Sequence, residues 1–396
     1  MDRPKSLIST IYKSYNTSIP IDLQCLIIGD KKGTGDLTMN NWKKKSLFTV
    51  VALFVLLLGG CAMETKEQAA ERLNTKAGQS TEAVNTAASN VGKLTNVQFY
   101  VSSEKENQIS VIDVVSSKVV GKIPVGESPS VLLFSSTMRE AYAANQHSST
   151  VSFINTQTLK VEAEVEVGPM PHGMVLSPDN RTLYVATVAD QYVYLVDAKE
   201  RKAAGTIDLG TGAKTNYLAL HGEKLYISDH ENHKVYIVNV KTKQVVSTIS
   251  TGKIPRAIKI SDDGKLLYVP SAGDNALEIY NAENGKQLQN IKVAEGATDV
   301  VVTDDGLTAV VTSMEGSSVT FVDLQANKVT KTLTQQSGAR HINFNRLQSK
   351  AYVTLSGSDQ VVVIDMVTKE IVEQIKVGAQ PHGIQIKALP GIGGSC

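Results

Sequence analysis

The chain has 396 residues, 42% of them hydrophobic and 20% charged, with 40 Lys and Arg against 39 Asp and Glu. A formal charge of +1 excludes the strongly basic surface of a dedicated nucleic-acid binder, and the apolar content excludes a disordered chain. Three cysteines, Cys25, Cys61 and Cys396, are too few and too scattered for a disulfide scaffold or a four-thiolate zinc site.

Taken in chain order, residues 1–38 show no amphipathic period and carry Pro4, Pro20 and a Gly33-Thr34-Gly35 break. Met39 then begins MNNWKKK, so residues 1–38 are expected to be an upstream start-site extension. Lys43, Lys44 and Lys45 precede the apolar run Leu47–Leu58, which would reach only ~18 Å as a helix. That is short of the ~30 Å needed to cross a bilayer. A basic flank, a short apolar run and small residues before a cleavage point predict an export signal over 39–60. The ending Leu58-Gly59-Gly60-Cys61 resembles the lipobox of bacterial lipoproteins. The resemblance implies that Cys61 is the lipid attachment residue and the first residue of the mature chain. The Ala, Thr, Asn, Ser and Gly-rich stretch 61–96 reads as a flexible tether with a reach of roughly 30–35 Å. Without residues 1–60, 32 basic residues face 35 acidic ones, so the head is slightly acidic.

From residue 97 the sequence repeats every 42 residues. One register is Tyr100, Tyr142, Tyr184, Tyr226, Tyr268, Val310 and Tyr352. A second is Asp113, Asn155, Asp197, Asn239, Asn281, Asp323 and Asp365. A third, the proline slot, is Pro129, Pro171, Ala213, Pro255, Ala297, Ala339 and Pro381. Within one period, HGMVLSP, TLYVATV, YVYLVDA and KAAGTIDLG read as four short strands separated by turn signals. Four strands per ~40–45 residues is the blade of a β-propeller. The predicted fold is therefore all-β: a seven-bladed β-propeller of seven 42-residue, four-stranded repeats over 97–388. The first period starts at its second strand, and the chain ends with an unmatched first strand. Strand 383–387 should therefore be the innermost strand of a blade whose outer strands lie in 97–124, closing the ring and removing an exposed edge. Residues 389–396 form a short tail.

The LYV, YVTL and VID strands, the SPDN and SDDG turns, and VGxxPHG at 167–173 and 377–383 resemble the YVTN-type β-propeller repeat. The resemblance implies a propeller located outside the cytoplasm and is compatible with binding or with hydrolysis, since related seven-bladed folds include lactone hydrolases. The repeat beginning at Ala297 departs most from the pattern, with Val310 in the tyrosine register and Ala297 in the proline slot.

Residues shared at one phase build the blade, whereas residues private to one blade are candidates for function. By that test the tyrosine register is core and the Asp/Asn register is turn chemistry. Six of seven histidines, His147, His172, His230, His233, His341 and His382, fall on the loops of one face; His221 lies opposite. The residue after the proline slot reads Ser130, His172, Lys214, Arg256, Thr298, Arg340 and His382 around the ring. Five of these can be cationic and none is acidic, which predicts an anion-attracting channel mouth. The candidate ligand-binding residues are His172, Lys214, Arg256, Arg340, His341 and His382. PHG also reads as a turn signature whose histidine bonds neighbouring backbone. A second private feature is Asp229-His230-Glu231-Asn232-His233, in which His230, Glu231 and His233 are weak candidates for metal ligation.

No G-x-S-x-G elbow, phosphate-cradling glycine loop or haem attachment motif is present, no catalytic residue is assigned, and no cofactor is implied. The sequence thus favours a lipid-anchored binding or scaffold module with a monomeric head. Its partners would be the membrane, through the lipid, and an anionic ligand or protein. Nucleic acid is the weakest member of that class, because the aromatic residues are committed to strands. The expected place is the outer leaflet of the cell membrane, or the outer membrane in a Gram-negative host. The alternatives are a propeller hydrolase or lactonase using the channel histidines, and a purely structural surface protein.

Overall fold

The computed structural model describes residues 97–387. The expected extension, export signal, lipidated Cys61, tether and tail lie outside the described residues. Those described form 28 strands in seven four-stranded antiparallel sheets. Blade 1 is built from both ends of the domain, in the order β28 (Pro381–Lys387), β1 (Gln98–Ser103), β2 (Gln108–Asp113) and β3 (Lys118–Pro124). The inner strands of blades 2 to 7 are β4 (Pro129–Phe134), β8 (Pro171–Leu176), β12 (Thr215–His221), β16 (Lys259–Ile260), β20 (Ala297–Val302) and β24 (Ala339–Phe344). Inner strands of neighbouring blades lie against one another, with β28 between β24 and β4. The ring closes as the sequence predicts, through antiparallel pairing of β28 with β1.

The repeated registers explain why these segments fold so. All seven residues of the tyrosine register are buried, Tyr100 and Val310 completely. The Asp/Asn register ends each third strand, where its side-chain oxygen accepts backbone N–H bonds from the turn that follows, as Asp365 does from Val367 and Thr368. Such turns tolerate a left-handed residue, which here stands four positions after the Asp/Asn register. Ser117, Leu159, Arg201, Lys243, Gly285, Asn327 and Lys369 all have positive φ. Six of the seven are not glycine, so the side-chain hydrogen bonds, rather than a missing Cβ, hold the turn.

Each of the seven hydrophobic clusters of the described residues is shared between two neighbouring blades. The cluster between blades 7 and 1 joins Tyr352, Val361, Val363 and Ile375 to Phe99, Val101, Ile112 and Ile384. Each such side chain contributes about 1.5–3 kcal/mol when buried. Among the described residues no blade has a separate core of its own, so opening one interface exposes apolar surface on two blades.

One expectation changes. The repeat starting at Ala297 forms a regular blade, with Ala297 and Val310 both fully buried. The irregular blade is the fifth, whose inner strand β16 has only two residues, preceded by an isolated bridge from Pro255 to Ser271. Pro270, in the strand β17 (Leu266–Ser271) beside it, has no N–H for the ladder.

A chain ending before Pro381 should test closure. It loses Ile384 from the core and bares the edge of β1, a loss of ~4 kcal/mol or more. The expected melting temperature falls by roughly 10 °C, with association visible in sedimentation. A monomer of unchanged melting temperature would contradict this account.

Candidate functional site

The channel residues are placed by a defect that repeats in the ladder. At the start of six inner strands the register with the second strand shifts, as between Ala339 and Ile342 or between Pro381 and Ile384. A bulge re-aims side chains that a regular strand would send to opposite faces. Three hydroxyls 42 residues apart, or multiples of it, hold the bulges. Thr354 accepts from the His341 N–H (3.0 Å) and donates to the His382 carbonyl (2.7 Å). Thr312 accepts from Asp299 N–H (3.1 Å) and donates to the Arg340 carbonyl (2.7 Å). Ser102 accepts from Gly383 N–H (2.8 Å) and donates to the Ser130 carbonyl. Each hydroxyl therefore ties one bulge to the next blade. The glycine of each PHG makes room for the neighbouring inner strand: a Cβ on Gly173 would lie 2.6 Å from the Asn216 carbonyl oxygen, and one on Gly383 2.7 Å from that of Ser130.

Across the ring, three histidines meet. His172 of blade 3 and His382 of blade 1 place their Nε2 atoms 3.1 Å apart. The ring of His341, from blade 7, stacks on His382 with centroids 5.1 Å apart and planes 10° from parallel. Behind them stand two carboxylates. Asp299 Oδ2 is 2.9 Å from His341 Nδ1, and Glu104 Oε1 is 2.5 Å from His382 Nδ1. An ionised carboxylate only accepts, so each of these Nδ1 atoms carries a proton and donates it. The Glu104 oxygen also pairs with Arg340 at 3.1 Å, and Arg256 lies 3.6 Å from Glu315. Tyr217 packs edge-on to His172, and its hydroxyl lies 3.3 Å from His341 Nδ1.

His341 and His382 are buried and His172 is part-buried. Burial, reinforced by the neighbouring imidazoles and by Arg340 and Arg256, holds His172 and His382 well below the usual histidine range. Both are neutral bases at physiological pH. Burial also lowers Arg340, against the pull of Glu104 in the other direction, and raises the Tyr217 phenol well above its usual value, with Asp299 adding to the rise.

A family model for YNCE-like β-propellers matches residues 131–389, well over half of the chain. The chain belongs to the YNCE-like β-propeller family. Among solved structures, a functionally unknown protein from Desulfotomaculum acetoxidans is similar at TM-score 0.65 and 17% identity, over 74% of this chain and 99% of its own. A periplasmic gluconolactonase from Pseudomonas aeruginosa is similar at TM-score 0.64 and 18% identity, over 75% and 100%. Kuenenia stuttgartiensis hydrazine synthase is similar at TM-score 0.58 and 20% identity, over 64% and 88%. At these identities the likeness is one of fold. No curated protein matches the chain.

Of the predicted site residues, this YNCE-like propeller brings together His172, His341, His382, Arg340 and, at the edge, Arg256. Lys214 is not among them; its ammonium donates to the Ala189 carbonyl at 2.8 Å. His382 bonds Glu104 rather than backbone, so the turn-signature reading does not describe it. The channel mouth is also not simply cationic, because Glu104, Asp299 and Glu315 stand among its cations. Nor do His230, Glu231 and His233 converge. His230 Nε2 is 3.9 Å from Glu231, and His233 Nδ1 accepts the Ile254 N–H at 3.2 Å. Asn107, Asn275 and Asp359, in the same register as His233, accept the corresponding N–H in other blades, and all four have positive φ. His233 is thus a loop latch.

Glu104, Asp299 and Tyr217 were not visible as site residues from sequence. Asp299 and His341 share the second position after the proline slot with Val131, Gly173, Thr215, Ala257 and Gly383. Reading that register would have shown one blade with an acid and the next with a histidine.

Asp299→Ala should cost about 2–3 kcal/mol, because it strips acceptors from His341 Nδ1 and the Ile342 N–H (3.3 Å). Asp299→Asn, which keeps an acceptor oxygen, should cost less, and His233→Asn should stay within about 0.5 kcal/mol. Denaturant melts check all three.

Proposed function

We propose that the channel centre is the active site of a hydrolase that opens anionic esters or lactones, carried on a head held outside the cytoplasm by a lipid on Cys61. The observation that carries the reading is the convergence of His172, His341 and His382, two of them backed at Nδ1 by Asp299 and Glu104. A carboxylate on Nδ1 fixes the imidazole tautomer and stabilises the imidazolium that forms when Nε2 takes a proton. A scaffold whose channel only packed blades would have no use for converging imidazoles backed by carboxylates. The Pseudomonas gluconolactonase places lactone hydrolysis on the same fold.

In this reading Arg340 and Arg256 receive the substrate's negative charge, and Arg256 stays partly exposed beside Glu315. The His341 Nε2 face accepts a proton from water as the water oxygen bonds to the carbonyl carbon. The C–O bond to the leaving oxygen then breaks, and the imidazolium returns the proton to it, giving a hydroxy acid. Arginine also stabilises the charge that develops on the carbonyl oxygen. The lipid anchor is supported by Lys43–Lys45, the apolar run Leu47–Leu58 and Leu58-Gly59-Gly60-Cys61, and the repeat by its YVTN-type strands.

The full chain, assayed against a panel of aldonolactones and carboxylated lactones, should turn over at least one of them. His341→Ala should lower kcat/KM by about 10²–10⁴, and Arg256→Ala should raise KM by about tenfold with kcat largely kept. His233→Asn should leave both unchanged. Saturable binding of the same anions without turnover would return the head to a binding module and contradict the hydrolase. Labelled fatty acid should enter the full chain and be lost in Cys61→Ser; label kept in that variant would exclude the anchor.

A further inference from the structure

We infer that His172, His341 and His382 bind one divalent transition-metal ion, of the zinc or copper class, through their Nε2 atoms. The inference goes beyond hydrolysis: it stands on stoichiometric metal binding, whether or not a lactone is turned over, and in the metal-bound chain His341 Nε2 is a ligand rather than the base of the proposed hydrolysis.

Three observations carry it. First, one ring nitrogen of each histidine lies within 4.8 Å of the others, and this is the only such group of three donors among the described residues. With metal–nitrogen bonds of about 2.0–2.1 Å, two ligands of a tetrahedral ion sit ~3.3 Å apart. The His172–His382 pair is already at 3.1 Å, and a ring nitrogen of His341 lies within 4.8 Å of both.

Second, the imidazoles are arranged as ligands are. His382 turns Nδ1 to Glu104 and Nε2 to His172 Nε2, 3.1 Å away, and His172 has the Asn216 backbone as a further hydrogen-bond partner.

Third, the carboxylates stand where supporting groups of a metal centre stand. A ligating histidine gives its other N–H to a carboxylate or carbonyl, which orients the ring and raises its basicity. Asp299 does this for His341 and Glu104 for His382. Their charges, with that of Glu315, also offset Arg340 and Arg256, which would otherwise repel a divalent ion. Three protein ligands leave a fourth position open, the pattern of a centre that also binds water or an anion.

The test uses the full chain, stripped with chelator and titrated with zinc or cobalt. The expected result is one equivalent bound per chain at micromolar metal, with the visible absorption of four-coordinate cobalt. His172→Ala should weaken binding by at least 100-fold, and Asp299→Asn by about 10–100-fold. A His230→Ala, His233→Ala double variant should still bind one equivalent. No stoichiometric binding, binding unaffected by both His172→Ala and Asp299→Asn, or loss in the double variant would overturn the inference. Should His172→Ala fail to fold by its melting curve, Asp299→Asn decides. Metal bound without lactone turnover contradicts the hydrolase and supports the metal centre, whereas turnover by protein that binds no stoichiometric metal supports the hydrolase and overturns the metal centre.

Discussion

The pairing of β28 with β1 is the contact on which the rest of the molecule depends. The apolar side chains of this propeller pack between blades, so each blade is stable only with neighbours on both sides. A row of blades would expose two half-cores, one at each end. Seven blades avoid this by closing, and the last strand of the domain is donated to the first blade to seal the joint. The same pairing brings His382 against Glu104, 278 residues earlier. Fold closure and site assembly are therefore one event.

The second constraint is local. Where inner strands run close around a channel, side chains alternating above and below the sheet would not converge there. The bulge at the head of the strand breaks that alternation, so that Arg340 and His341, adjacent in sequence, can both join the cluster. Hydroxyls on the second strands then fasten each bulge to the following blade. Glycine after His172 and His382 permits the close approach of the next inner strand. The site is thus built on sheet, with backbone and side chains tied on both sides, which is the kind of support a pre-organised centre requires.

Architecture was legible in the sequence because it repeats. Tyrosine at one phase and Asp or Asn at another are imposed by the same packing and the same turn in every blade, so seven copies reinforce one signal. The site is written only once, and its parts lie in several blades. The first position after the proline slot carried His172, Arg340 and His382 and was readable. The next position carried Asp299 and His341, and its meaning depends on a bulge that strand periodicity does not announce. Glu104 opens a single 3-10 turn, Glu104–Glu106, between β1 and β2 and acquires its role only when the ring closes. Lys214 was misplaced for a related reason: it follows Gly210 and Gly212, both at positive φ, and its chain turns toward Ala189. His233 looked like half of a metal pair because its neighbours in sequence are polar, while its counterparts 42 residues away show it to be a latch.

What results is a set of imidazoles in a buried, charge-balanced setting, with ring nitrogens of His172 and His382 turned toward one another. Burial keeps His172 and His382 unprotonated, carboxylates fix which nitrogen is free, and arginines supply positive charge at the rim. The most direct measurement of that claim is long-range 1H–15N NMR of the histidine side chains in metal-free full-length protein near neutral pH. The account predicts that His382 is neutral and protonated at Nδ1, and that His341 Nδ1 carries a proton. Finding the His382 ring charged, or either ring protonated at Nε2 alone, would contradict it.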